Sequence, residues 1–197
     1  MDRSFLFLVA AARAGGNTEM LARRAAREVP RQHEQVWIRL PEVPLPAFED
    51  RRHGFGEHPE PAGNEKVLMD ATFAATDLVI ASPVYWYSVA ASVKLYLDYW
   101  SGWMRVPGAE FKARMKGKTL WGVSVLSEGR EQADPLVGTL EKTAAYLGMR
   151  WGGALMGNGS RPGDVLADDA AMKSAEGFFA RVETAVVPGL RAAPGAP

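Results

Sequence analysis

The 197-residue chain contains no cysteine. That excludes disulfides, thiolate metal sites and thiol nucleophiles, so any redox chemistry must come from a bound cofactor. Charge of one sign is missing too: Lys+Arg and Asp+Glu both number 23, for a formal net charge of zero. With no basic excess to collect phosphates, neither nucleic acid nor an anionic membrane is an expected partner. Histidine is scarce, and His33, His53 and His58 all fall in the first third of the chain. The late histidine of an α/β serine hydrolase is therefore absent, zinc-ligand spacing is not met, and the three are expected to be solvated loop residues with no metal. Long hydrophobic runs are lacking as well. The best candidate, Leu78 to Val93, is broken by Ser82, Pro83 and Ser88, short of the ~20 apolar residues a membrane-spanning helix needs.

Two familiar phosphate motifs are incomplete. Gly117-Lys118-Thr119 matches the end of a Walker loop, but position 112 is Lys and the segment precedes a strand. Gly157-Asn158-Gly159 lacks its third glycine because position 162 is Pro. The start of the chain admits two readings. Arg3 followed by the apolar run Phe5 to Ala12 has the pattern of a short secretory signal, whereas a central strand entering a ligand loop also accounts for Gly15, Gly16, Asn17 and Thr18. The second reading covers more residues and carries a cytoplasmic location with it.

Hydrophobic residues make up 47% of the chain, enough for one buried sheet. Phe5 to Ala10 is a continuous apolar run of strand length, as in a strand covered on both faces. Asn17 and Thr18 read as caps of a helix whose Leu21, Ala22, Ala25, Ala26 and Val29 recur with helical spacing up to Pro30. Val36 to Leu40 alternates, with Val36, Ile38 and Leu40 on one side and Trp37 and Arg39 on the other, as in a half-exposed edge strand. Residues 41–63 form a long irregular connection of a length that often covers a site. A helix over Asn64 to Ala75 then leads into the apolar strand Leu78 to Ala81, and the next helix carries Val89, Val93, Leu97 and Trp100.

Lys118 to Leu126 is a fourth strand, and Asp134 reads as the cap of a helix with Pro135 first and a stripe of Leu136, Leu140, Ala144 and Leu147. Trp151 to Met156 is a fifth strand, followed by a helix through Ala171, Ala175, Phe178, Phe179 and Val182. Five β-then-α units predict an α/β fold with a five-stranded parallel sheet, helices on both faces and strand order 2-1-3-4-5. The domain is expected over 1–187, with 188–197 a mobile tail.

In that order the chain reverses between the first and third strands, and ligands bind beyond the carboxyl ends of the strands at such a point. The first loop, Ala11 to Thr18, offers Arg13, the Gly15–Gly16 turn, Asn17, Thr18 and a helix N-terminus, a setting for a phosphate monoester or, read plainly, a capped turn. The second places Tyr85, Trp86 and Tyr87 in succession, where three adjacent rings cannot all enter the core. They offer a flat face to a ligand, or else a packing cluster or subunit contact. The third contributes Ser127, Glu128 and Gly129, as ligand contacts or as a turn. Trp100 and Trp103 either complete a pocket from a second subunit or pack in the core.

These residues carry a resemblance. Ala11-Ala12-Arg13-Ala14-Gly15-Gly16-Asn17-Thr18-Glu19 resembles the phosphate loop of the NAD(P)H-dependent FMN reductase and quinone reductase family, and Ser82-Pro83-Val84-Tyr85-Trp86, with Lys94 and Asp98 beyond it, resembles that family's second signature. The likeness runs from the first strand to the last helix. It implies a flavodoxin-like three-layer fold that binds FMN and uses NAD(P)H as substrate, with a quinone, flavin or similar small molecule as electron acceptor. It also implies that Arg13, Gly16, Asn17 and Thr18 hold the phosphate, that Pro83, Val84, Tyr85, Trp86, Tyr87 and Ser88 hold the isoalloxazine, and that Ser127 to Gly129 approach its other side. Ala11 stands where the family often has a hydroxyl, and Tyr87 where a small residue is common. No side chain is expected to act as catalytic nucleophile, and a homodimer or higher homo-oligomer is the expected assembly. The rival readings are a flavodoxin-type electron carrier, which the neutral charge disfavours, and a scaffold that has lost FMN.

Overall fold

In the computed structural model, which describes residues 2–54 and 57–180, the apolar runs become the middle of a parallel sheet. β1 (Ser4–Val9), β3 (Asp77–Ala81) and β4 (Thr119–Leu126) are almost wholly buried. The alternating β2 (Glu34–Arg39) and the glycine-rich β5 (Arg150–Asn158) form the edges, in the order β2-β1-β3-β4-β5. All pairings are parallel, with Phe5 opposite Asp77 and Val9 opposite Ala81. Because side chains alternate along a strand, Phe5, Phe7 and Val9 face one layer and Leu6, Leu8 and Ala10 the other. α1 (Asn17–Ala26), α6 (Asp169–Ala175), Phe178 and Phe179 cover the first face. The second is covered by α2 (Gly63–Ala74), α3 (Ala91–Trp103), the short α4 (Phe111–Met115) and α5 (Asp134–Tyr146). No helix among the described residues is long and apolar enough to cross a membrane.

Several local expectations are corrected. The α3 stripe is Val93, Tyr96, Tyr99, Trp100 and Trp103, with Val89 ahead of the helix. Trp100 and Trp103 are 3% and 0% exposed and pack edge-on against Tyr96, so neither is available to a second subunit. Asp134 does not cap α5; a 3-10 turn over Arg130–Ala133 runs straight into the helix and makes it the first helical residue. The last helix stops at Ala175, and a 3-10 turn after Gly177 brings Phe178 and Phe179 onto the sheet. Val182 and the tail 188–197 lie outside the described residues.

Among the described residues, the connection after β2 contributes nothing to the cavity lining at the carboxyl ends of the strands. Val43, Leu45 and Phe48 pack on the helical layer, and the Tyr99 hydroxyl donates to the Pro46 carbonyl at 3.2 Å. Two histidines depart from the expectation of solvated loop residues: His33 is half-buried and accepts the Arg3 N–H at 3.2 Å, and His58 is buried. The latter is 8% exposed, 2.7 Å from the Glu65 carboxylate, and its ring fills the space a Cβ at Gly102 would take. No cluster with metal-ligand character occurs among the described residues.

Candidate functional site

A cavity of about 210 Å3 opens where the carboxyl ends of four strands meet. The loop after β1 lines it with Ala11, Arg13, Gly16, Asn17 and Thr18, and the loop after β3 adds Pro83, Val84 and Tyr85. The end of β4 contributes Val125, Leu126 and Ser127, and the loop after β5 contributes Gly159 and Ser160. Among the described residues no carboxylate lines it.

The first loop is shaped by its own helix. Gly15 sits at φ +62, a left-handed conformation that glycine adopts without penalty, and donates its N–H to the Glu19 carboxylate at 3.0 Å. Glu19 also accepts from Arg23 (2.9 Å) and from Arg39 at the end of β2 (2.9 Å), so one buried acid ties the loop to the neighbouring strand. Burial pushes that carboxyl up, but the hydrogen bonds from Arg23 and Gly15 and the charges of Arg23 and Arg39 outweigh it and hold Glu19 below the ordinary glutamate range. Gly15 lies outside the cavity lining, its N–H already engaged.

The donors left over point to an anion. Arg13 has no acidic partner and the Thr18 hydroxyl has no hydrogen-bond partner among the described residues. The N–H groups of Asn17 and Thr18 open α1 without carbonyl partners, at the positive end of the helix. The side chain of Asn17 departs from its expected capping role: it spans to the loop after β5, donating to the Arg161 carbonyl and accepting from the Gly163 N–H, both at 2.8 Å. Gly16, at φ −72, needs no glycine for its backbone, and a Cβ there would approach no protein atom closer than 3.5 Å. The space it leaves open belongs to the cavity. A donor-rich, acid-free end of this size fits a phosphate monoester.

The second loop is a hairpin held at its base. Tyr85 and Ser88 exchange two backbone hydrogen bonds of 3.0 and 3.1 Å, leaving Trp86 and Tyr87 as the central residues at φ 50 and 65. Positive φ at both centres is the type I′ arrangement, which favours Asn and Gly; a bulky residue there costs about 1–2 kcal/mol. Trp86 is 92% exposed, and Tyr85 and Tyr87 about half exposed. Trp86, Tyr87 and Ser88 do not line the cavity but stand beyond Tyr85 at its rim. Ser82, which composition alone does not single out, latches this loop. Its Oγ accepts the Ala90 N–H at 2.9 Å, and its carbonyl accepts the Ser124 hydroxyl at 2.6 Å.

In the third loop only Ser127 reaches the cavity. Glu128 and Gly129 are exposed, the Glu128 carbonyl accepting from Asn158 at 3.3 Å and Gly129 starting the 3-10 turn before α5. Sequence reasoning assigns no site role to Glu19, Ser82, Gly159 or Ser160. Glu19 and Ser82 stand inside the two motifs but act on the loop backbones rather than in the cavity; Gly159 and Ser160 enter from the loop after β5.

Comparison with known proteins gives the family and the fold. Residues 4–155 match the family model described as NADPH-dependent FMN reductase. A Bacillus subtilis protein, YwqN, named as an NAD(P)H-dependent FMN-containing oxidoreductase, is 30% identical over 171 residues, covering 86% of this chain and 92% of its own. Among solved structures, the Trp repressor binding protein from Bacillus subtilis superposes with a TM-score of 0.71 at 24% identity, over 91% of this chain and 99% of that one. An FMN-dependent NADH-azoreductase from Bacillus anthracis, solved in complex with FMN, gives a TM-score of 0.63 at 13% identity, over 92% and 100% of the two chains. These two structures share the fold.

Proposed function

The chain belongs to the NADPH-dependent FMN reductase family, and from that premise we propose that it carries hydride from NAD(P)H to FMN held at the carboxyl ends of β1, β3 and β4, and on to a quinone, flavin or similar small acceptor. The observation that carries the reading is a cavity that, among the described residues, has no acid in its lining and leaves Arg13 and the Thr18 hydroxyl without partners. At about 210 Å3 it is smaller than the roughly 300–1,000 Å3 that encloses a whole ligand. A cavity of this size would take one end of the cofactor, with the aromatic hairpin beside its rim to flank the rest.

Bound FMN supplies the hydride chemistry. The chain's own residues hold and orient. Arg13, Thr18 and the first N–H groups of α1 take the phosphate. The Val84–Ser88 backbone, fixed by Ser82, sets one edge of the ring site, and the N–H groups of Trp86 and Tyr87, which have no partner among the described residues, are available to stabilise negative charge on a reduced ring. Ser127 bounds the opposite side. Among the described residues the cavity lining holds neither histidine nor carboxylate. The same reading makes the protein a cytoplasmic homodimer or higher oligomer, with the exposed Trp86 and Tyr87 rings as available contact surface.

An absorption spectrum with added FMN, followed by anaerobic NADH or NADPH, tests the function. Flavin bands that bleach on adding nicotinamide are the expected result. Bands that persist would favour an electron carrier, and a protein that takes up no FMN would overturn the reading.

A further inference from the structure

Asn17 uses both ends of its side-chain amide on one distant segment. Its Nδ2 donates to the Arg161 carbonyl and its Oδ1 accepts from the Gly163 N–H, each at 2.8 Å, from a position only 9% exposed. That segment is otherwise well tied. Gly159 donates to the Leu126 carbonyl at 2.9 Å, and the Asp164 carboxylate accepts from the N–H groups of Ser160 (3.1 Å) and Arg161 (2.6 Å). Contact with the first turn of α1 is close: a Cβ on Gly159 would lie 3.0 Å from Asn17 Nδ2 and 2.9 Å from the Val165 nitrogen. Gly159 and Ser160 line the cavity, and the Ser160 hydroxyl has no partner among the described residues.

We propose that the loop after β5, residues 159–163, is a fourth wall of the FMN site, and that Asn17 is the positioning residue that holds it there. The division of labour on α1 follows. Thr18 keeps a free hydroxyl for the phosphate, Glu19 reaches back to shape Gly15, and Asn17 reaches across to the wall. The proposal rests on the FMN reading for the word wall, but the tether itself does not.

The tether is read first, in protein without flavin. Hydrogen exchange at the Gly163 N–H is expected to be about tenfold faster in Asn17→Ala, where its acceptor is gone. Asn17→Asp keeps an acceptor oxygen and restores the protection. Unchanged exchange in Asn17→Ala would overturn the tether. The wall is read by FMN titration of Asn17→Ala, Gly159→Ala and the double variant. Because both changes act through the same loop, each is expected to weaken FMN binding about tenfold and the double variant no further. Effects that multiply, or a Gly159→Ala protein with unaltered affinity, would make Asn17 a direct ligand and overturn the wall. A wild-type protein that binds no FMN would overturn the functional reading and the wall together, leaving the tether to the exchange result.

Discussion

The two ends of the sheet treat polar groups in opposite ways. At the amino end, Asp77 is 2% exposed, yet its carboxylate accepts from Arg3, from the Trp121 indole (2.9 Å) and from the Thr76 hydroxyl (2.7 Å). Arg3 spends its remaining arm on the Phe179 carbonyl at 2.7 Å. At the carboxyl end, Arg13, Thr18 and Ser160 reach a cavity with no such partners, and two aromatic residues stand at positive φ on a hairpin tip. A saturated buried network serves the fold, because a charge left alone in the interior is costly. On the proposed function, donors left open and backbone held under strain serve a ligand instead, and one sheet separates stability from function along its length.

Variants can break this separation. The largest effect is expected at the saturated end, where Asp77→Ala would leave Arg3 Nε and Nη2 and the Trp121 N–H without acceptors, the Phe179 carbonyl holding only the remaining arm of the guanidinium. Stability should fall by about 3–5 kcal/mol, read as a lower urea midpoint, with FMN affinity of the remaining folded protein unchanged. Next comes the open end. Arg13→Ala should weaken FMN binding by about 1.5–3 kcal/mol while leaving the urea midpoint where it is, since the side chain is exposed and unpaired. An unaltered dissociation constant would remove Arg13 from the site. The smallest change has the opposite sign. Tyr87→Gly relieves a bulky residue at φ 65 and should raise stability by about 1 kcal/mol, at the expense of the rate of flavin reduction by nicotinamide. A variant that lost stability would show that the hairpin tip is packed rather than strained.

Much of the fold was legible because the strands announce themselves. Phe5 to Ala10 and Leu78 to Ala81 are apolar without interruption, and Val36 to Leu40 alternates, so centre and edge follow from burial on two faces or one. The three loops read from the sequence contribute Ala11, Arg13, Gly16, Asn17, Thr18, Pro83, Val84, Tyr85 and Ser127 to one cavity. What misled was local propensity. Asn17 and Asp134 are good caps in isolation, yet Asn17 is drawn away by carbonyl and amide groups of residues 161 and 163, and Asp134 is absorbed into a helix already begun by a 3-10 turn. His58 sits in a proline-rich connection that reads as solvated, but Glu65 and the gap at Gly102 bury it.

The sequence by itself determined the α/β class, the strand order, the absence of thiol chemistry and the two loops that carry the site, because periodicity, glycine placement and composition act within a few residues of one another. Only the tertiary structure decided which donors remain free for a ligand. Whether a polar group is spent or open depends on what the fold brings within 3 Å of it, and for Asn17, Glu19 and Asp77 those partners lie on other strands, helices and loops.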